Sequence, residues 1–426
     1  MFARFRTRAT ALLLGSGSLV CAINAGAAEN LSPLGVSPDW NRLERYQETI
    51  TCDDFMRLLD DVYCPDNAAA EVIKTEATSA RIRKSKDPEK FFRLRFAKTE
   101  ATRKPIGRSW MTVATLPPRK PSGPLSDLRI ALDPGHIGGA WAKMEERWFQ
   151  VGDAPPVQEG DMTLRVAQMI APRLQQLGAK VSLVRDKLEP VTPQRPDDFE
   201  QLAKKILKKG GLAQPREDFD GPADPQKEQS VHWQREILFY RNSEIRHRAE
   251  IVNRRLRPDV VLCLHFNAEA WGDPTKPTLV DKNHLHLLVN GRYLPAELEF
   301  DDERFEMLQR LLSRSHLEEI ALTETLAATM AKKTQLPAYE YIAGNAAKGG
   351  TSGYVYARNL MATRLYKCPV VYLEPYVMNS QEVFARIQAG DYDGTRNING
   401  QERSSIFREY ADSVVDGLLD YYKARQ

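Results

Sequence analysis

Two histidines, His136 and His265, each close an apolar run: LRIALDPGH ends on the first, and DVVLCLHFN carries the second. Neutral imidazoles are preferred nitrogen ligands of zinc, and a carboxylate as the third ligand leaves a fourth position for water, the make-up of a hydrolytic metal centre. The carboxylates soon after His136 are Glu145, Glu146, Asp153, Glu159 and Asp161. Position selects among them. Glu159 stands at the N-terminal edge of an amphipathic helical pattern, where a fixed carboxylate can point back across a sheet end, whereas Glu145 and Glu146 sit in a loop pattern beside Lys143 and Arg147. A buried imidazole without a partner is costly, so two strand-end histidines with an acid favour a metal, with His136, Glu159 and His265 as its ligands. A third apolar run, PVVYLEPY, delivers Glu374 ahead of Pro375. A carboxylate at that strand end suits a general base acting on a water.

These residues need a scaffold that brings strand ends together. From residue 126 the pattern alternates strand and helix: LRIALDPGH, DMTLRVAQMIAPRLQQLG, AKVSLVR, SEIRHRAEIVNRRL and DVVLCLHFN, then HLHLLVNG, LEEIALTETLAATMAKKT, PVVYLEPY and IFREYADSVVDGLLDYY. This predicts an α/β fold with a mostly parallel open sheet flanked by helices. In such sheets ligands bind beyond the carboxyl ends of the strands, the edge that would hold His136, His265 and Glu374. Pro172 falls inside the first long helical pattern and is expected to kink it. The domain spans 126–426, with polar, Pro/Gly-rich insertions near 186–240 and 272–283; one short helix is expected in the first. Its KKILKK stretch reads as a solvated basic face. Residues 116–125 form a Pro-rich linker, and 28–115 a small N-terminal α+β unit with a helix at TCDDFMRLLDDVYCP and strands at AEVIKTEATSARIRK and KFFRLRFAK. Residues 1–27 have the layout of a cleavable export signal, with Arg4, Arg6 and Arg8 before an apolar run and Ala25-Gly26-Ala27 at its end.

The stretches IALDPGH, VQEGDMTLRVAQMIAPRLQQLGAKVSLVR, RHRAEIVNRRLRPDVVLCLHFNA and CPVVYLEPYVMNS resemble, in order, the motifs of the zinc-dependent N-acetylmuramoyl-L-alanine amidases, over roughly residues 126–424. The resemblance implies a zinc hydrolase that cuts the amide joining N-acetylmuramic acid to L-alanine in peptidoglycan. It implies that His136, Glu159 and His265 take the metal positions and Glu374 that of the catalytic glutamate, while Arg248 and Asn253 fit the helix before the second histidine strand. Asn267 and Arg358 fall within the matching motifs. The chain departs from the family pattern at Ile137 after the first histidine, at Gly160 where lysine is common, and at Phe266 in the second histidine motif. A zinc peptidase on the stem peptide, or an inactive wall-binding or regulatory homologue, are the alternative readings.

Charge excludes other classes. The 60 basic and 57 acidic residues give +3, and loss of the three leader arginines leaves the mature chain neutral, so no nucleic-acid partner is expected. The expectation is instead an exported, periplasmic or extracellular monomer whose partner is peptidoglycan, with room for an activator or regulatory protein. The five cysteines contain no CxxC pair, so no cysteine zinc site is indicated; Cys52 and Cys64 flank a helical pattern and are candidates for a disulfide in an oxidising compartment. Cys263 reads as a small core residue. His284 and His286 share one face of their strand by alternation, with an ordinary surface or packing role expected over substrate contact or a second metal site.

Overall fold

The computed structural model describes residues 29–423 apart from Pro88, Gly272, Pro274 and Thr275; the expected export signal, residues 1–27, lies outside them. After helix α1 (Cys52–Leu58), whose N-cap Thr51 accepts from Asp54 N, the N-terminal segment forms an antiparallel sheet of β1 (Ile73–Glu76), β2 (Ser79–Arg83) and β3 (Phe91–Arg95). The main domain then runs through β4 (Arg129–Pro134), the short pair β5 (Trp148–Phe149) and β6 (Val157–Gln158), α2 (Glu159–Gln176), β7 (Lys180–Leu183), α3 (Glu200–Lys209), α4 (Val231–Ile237), α5 (Glu244–Glu250) and β8 (Val260–Leu264). It continues with β9 (Leu285–Val289), α6 (Pro295–Leu298), α7 (Asp301–Ser313), α8 (His316–Thr334), β10 (Ala347–Lys348), β11 (Val355–Ala357), α9 (Met361–Leu365) and β12 (Val370–Pro375). Helix α10 (Gln381–Gln388), the hairpin of β13 (Thr395–Ile398) and β14 (Gln401–Ser404), and α11 (Ile406–Tyr422) complete the chain.

The central sheet has the order β10-β11-β9-β12-β8-β4-β7. Strands β12, β8, β4 and β7 are mutually parallel, whereas β9 pairs antiparallel with β12 and parallel with β11. The α/β fold with a mostly parallel sheet is therefore as the sequence pattern predicts, and the reversal of β9 is what that pattern did not reveal. Alternation along the strands sorts the two faces. Ile130, Leu132, Leu262, Leu264, Val371 and Leu373 join Met162, Val166, Leu326, Val414 and Leu418 in the large core under α2, α8 and α11. Ala131, Val261, Cys263 and Val370 face the other way, against Ala249, Val252 and Tyr366. Cys263 is thus a core residue, and Cys52 and Cys64 are free thiols.

Helix α2 runs unbroken through Pro172. The segment 231–256 is helical throughout, with π-type turns at Leu238–Ser243 and Ile251–Leu256. The 186–240 insertion contains two helices, α3 and α4, where one was expected. Its apolar residues Phe199, Ala203, Leu207 and Phe239 pack with Ile137 and Trp141, so it buttresses the loop that follows His136. Lys205, Lys208 and Lys209 are exposed, in keeping with a solvated basic face. The N-terminal sheet closes its core on α6 and α7, with Leu43, Phe55, Ile82 and Leu94 in one cluster with Leu298, Phe305, Leu308 and Leu312. No helix among the described residues is long and apolar enough to cross a membrane.

Candidate metal centre

Three elements converge on one point at the carboxyl edge of the parallel strands. His136 follows the end of β4 with φ 58°, a left-handed conformation that turns it back over the sheet. His265 follows β8, and Glu159 opens α2 with 1 % of its surface exposed. Glu159 Oε1 lies 3.0 Å from His265 Nδ1 and Oε2 3.2 Å from His136 Nε2. One donor atom from each of these three residues lies within 4.8 Å of the others, and no second such group of His, Cys, Asp or Glu occurs among the described residues. The arrangement uses the three residues that the sequence singled out.

The donor set fits a divalent ion. Tetrahedral zinc with ligands at about 2.0–2.2 Å separates its ligand atoms by about 3.3–3.6 Å, within the 4.8 Å that spans one donor atom from each residue. His136 Nδ1 faces Glu145 Oε1 at 3.5 Å, an outer carboxylate that favours the Nδ1–H tautomer and turns the Nε2 lone pair inward. The Glu145 carboxylate also accepts from Ile137 N at 2.8 Å and Gly138 N at 3.1 Å, which fixes the loop after the histidine. Arg147 Nε stands 3.1 Å from both His136 Nε2 and Glu159 Oε2, a positive charge already set against the donors. Burial opposes ionisation of Glu159, yet His136, His265 and Arg147 together hold its carboxyl below the ordinary range. Burial, the larger influence, pushes the His136 imidazole well below its ordinary value, so it is neutral and able to donate a lone pair.

Glu374, near the end of β12, lines the same cavity of about 590 Å3. Burial raises its carboxyl above the ordinary range; His265 opposes the rise and Glu159 adds to it. A carboxylate poised in this way can take up and return a proton. His286 lies directly opposite Glu374 in the antiparallel β9–β12 register, and its Nε2 is 3.1 Å from the Tyr341 hydroxyl. His284 Nε2 is 3.0 Å from Glu269 Oε1, an acid that the sequence reading had not connected with it. Arg358 and Asn267 line the cavity as well. Asn253 lies elsewhere: its amide donates to Leu365 O at 2.9 Å and accepts from Lys367 N at 2.9 Å, a purely structural tie.

Sequence reasoning missed Arg147, the orienting role of Glu145, and Tyr372, whose ring stacks on His265 with centroids 4.3 Å apart. It also missed Arg185, which donates to Gly160 O at 2.9 Å from the end of strand β7. The position of Arg185 after an apolar strand was the available signal, the same one that exposed the histidines.

No family model matches the chain. No curated protein matches it either. Among solved structures it is similar to the N-acetylmuramyl-L-alanine amidase Ami1 of Mycobacterium smegmatis, at 15% identity over 70% of this chain and 99% of that one, with TM-score 0.37. It is similar to the N-acetylmuramoyl-L-alanine amidase AmiC2 of Nostoc punctiforme, at 16% identity over 71% and 99%, with TM-score 0.36. It is also similar to the CwlD amidase of Clostridioides difficile, solved in complex with the GerS lipoprotein, at 11% identity over 69% and 98%, with TM-score 0.36.

Proposed function

We propose that the chain is an exported zinc hydrolase that cleaves the amide between N-acetylmuramic acid and L-alanine in peptidoglycan. The observation that carries this reading is the meeting of His136, Glu159 and His265 donors with Glu374 in one cavity. The four sequence motifs that resemble the amidases supply the substrate. When bound, a zinc ion supplies Lewis-acid polarisation of a carbonyl and lowers the pKa of a coordinated water.

His136, Glu159 and His265 would hold that ion, and the rest of the site orients them. Glu145 sets the His136 tautomer, and Tyr372 flanks the His265 ring. Glu374 accepts the proton of the attacking water at a carboxylate oxygen and delivers it to the leaving nitrogen, so the amine departs neutral. Its raised affinity for a proton suits it to both halves of that transfer.

The test is digestion of purified peptidoglycan by the chain lacking residues 1–27, with chelator, with chelator followed by zinc, and with Glu374→Gln. The expected result is free stem peptides, identified by mass, that vanish with chelator, return with zinc and are absent in the variant. Fragments cut within the stem peptide would instead identify a peptidase, and a protein that binds no zinc would refute the central assignment.

A further inference from the structure

Strands β8 and β12 carry His265 and Glu374 at their carboxyl edge; at their opposite edge lies a second cleft, of about 600 Å3. Arg257 precedes β8 and Lys367 precedes β12. Arg42, Arg45 and Arg108 reach the same cleft from the N-terminal segment, and Arg364 from α9. The five residues of β8 set this cleft about 17 Å from the metal centre at roughly 3.3 Å per residue.

The charge is one-sided. No acidic side chain among the described residues lines the cleft. Arg364 is paired with Glu303 at 3.2 Å and Glu306 at 2.7 Å. Arg42, Arg45, Arg108, Arg257 and Lys367 form no ion pair among the described residues. Arg108 Nε donates only to a neutral acceptor, Ser313 O at 3.0 Å. Its guanidinium lies over the Trp110 ring at 4.8 Å, and that of Arg45 over Tyr46 at 5.4 Å. A guanidinium held over a ring keeps its in-plane N–H edge available for the forked contact that phosphate oxygens accept.

Partial burial, Arg42 and Arg254 bring the Lys367 ammonium down to about 8, against an opposing influence from Glu306. Like charges in a concave wall focus their field into it and raise the local concentration of anions. The volume exceeds that of a lone phosphate and falls in the range of small-molecule sites, about 300–1,000 Å3.

We propose that this cleft is a binding site for a phosphate group carrying at least two negative charges, borne by a molecule that does not reach the metal centre. The same chemistry is offered by a soluble phosphorylated compound and by a lipid headgroup that ends in a phosphomonoester. The proposal stands apart from the amidase reading and does not depend on it.

Arg42, Arg257 and Lys367 are exposed, so Arg42→Ala/Arg257→Ala/Lys367→Ala removes three cations without opening a core. Lys205→Ala/Lys208→Ala/Lys209→Ala removes the same charge from exposed positions on α3. Calorimetric titration with pyrophosphate and co-sedimentation with phosphatidic acid vesicles are measured on the wild-type chain and both variants. The cleft variant is expected to bind at least tenfold more weakly, the α3 variant to bind like wild type, and all binding to weaken with added salt. Cleft-dependent binding of vesicles assigns the site to a lipid headgroup; cleft-dependent binding of pyrophosphate alone assigns it to a soluble phosphate. Binding of neither probe at 10 mM phosphate, or equal loss in the two variants, would overturn the proposal.

Discussion

Arg248 Nη1 lies 2.9 Å from Asp133 Oδ1, an ion pair sealed beneath the turn that carries His136. The same guanidinium donates to Pro134 O at 2.7 Å and His136 O at 2.8 Å, and its Nε donates to Glu244 Oε1 at 2.8 Å. Glu244 in turn accepts from Val191 N at 2.9 Å and Thr192 N at 3.0 Å. One side chain thus joins the end of β4, the helix before β8 and the start of the 186–240 insertion, and holds the first histidine in its left-handed conformation.

Arg248→Met is accordingly expected to cost about 3–5 kcal/mol, because Asp133 and Glu244 would remain buried as uncompensated charges. Arg248→Lys keeps a charge but loses the forked geometry and should recover only part of the loss. Urea unfolding measures both. A Met variant within about 0.5 kcal/mol of wild type would mean that the pair contributes nothing net.

Glu159 offers both its oxygens to the histidines, so its replacement tests the metal site directly. Glu159→Gln keeps the shape and removes the charge. Zinc content after equilibrium dialysis is expected to fall from one ion per chain to less than a tenth, while the chelator-treated variant still unfolds cooperatively. Full zinc occupancy in Glu159→Gln would show that the ion is held by other groups.

The strand-end positions of His136, His265 and Glu374 were legible because a buried parallel strand reads as a continuous apolar run with its polar terminus marked. Glu159 was legible because a helix start constrains where a carboxylate can point. His286 was not, since the apolar run around it gives no direction: only the reversal of β9 brings the start of that strand, rather than its end, to the site edge. Arg147 and Glu145 were opaque for another reason. They lie on the loop after His136, and nothing local fixes which of its charged residues turns inward. The shared core between the N-terminal sheet and α7 was invisible for a similar reason, because the contacts join residues more than 200 positions apart.

Glu303, in that shared region, gives a pH dependence. Burial raises its carboxyl to about 7, with Arg364 opposing and Glu297, Glu306 and Asp302 adding to the rise. Unfolded, a glutamate titrates near 4.3. The folded state therefore holds a proton that the unfolded chain releases, so the contribution of this group is complete below about pH 4.3 and is lost as pH rises through about 7. Glu303→Gln removes that dependence. Relative to wild type, the variant should gain stability between pH 5 and pH 8 in urea unfolding. A difference that stays constant across this window would show that Glu303 is already ionised in the folded protein at pH 5.

Gly160, the residue after Glu159, is one of the positions where this chain departs from the amidase pattern, and the packing explains why a side chain is excluded. A Cβ there would fall 2.3 Å from Gly138 N and 2.6 Å from Gly138 Cα. The obstruction is backbone and cannot rotate away. It is also the loop that Glu145 fixes behind His136. Alanine within a helix ordinarily gains about 0.5–1 kcal/mol over glycine, so a rise in stability is the result that propensity alone predicts. Overpacking of this kind costs about 1–3 kcal/mol and shifts backbone. Gly160→Ala should therefore lose stability on balance and, by displacing the His136 loop from α2, bind zinc more weakly. Calorimetric zinc titration with thermal unfolding of the same sample decides the matter. A variant that is more stable than wild type with unchanged zinc affinity would mean that the contact between the start of α2 and the His136 loop is looser than its distances indicate.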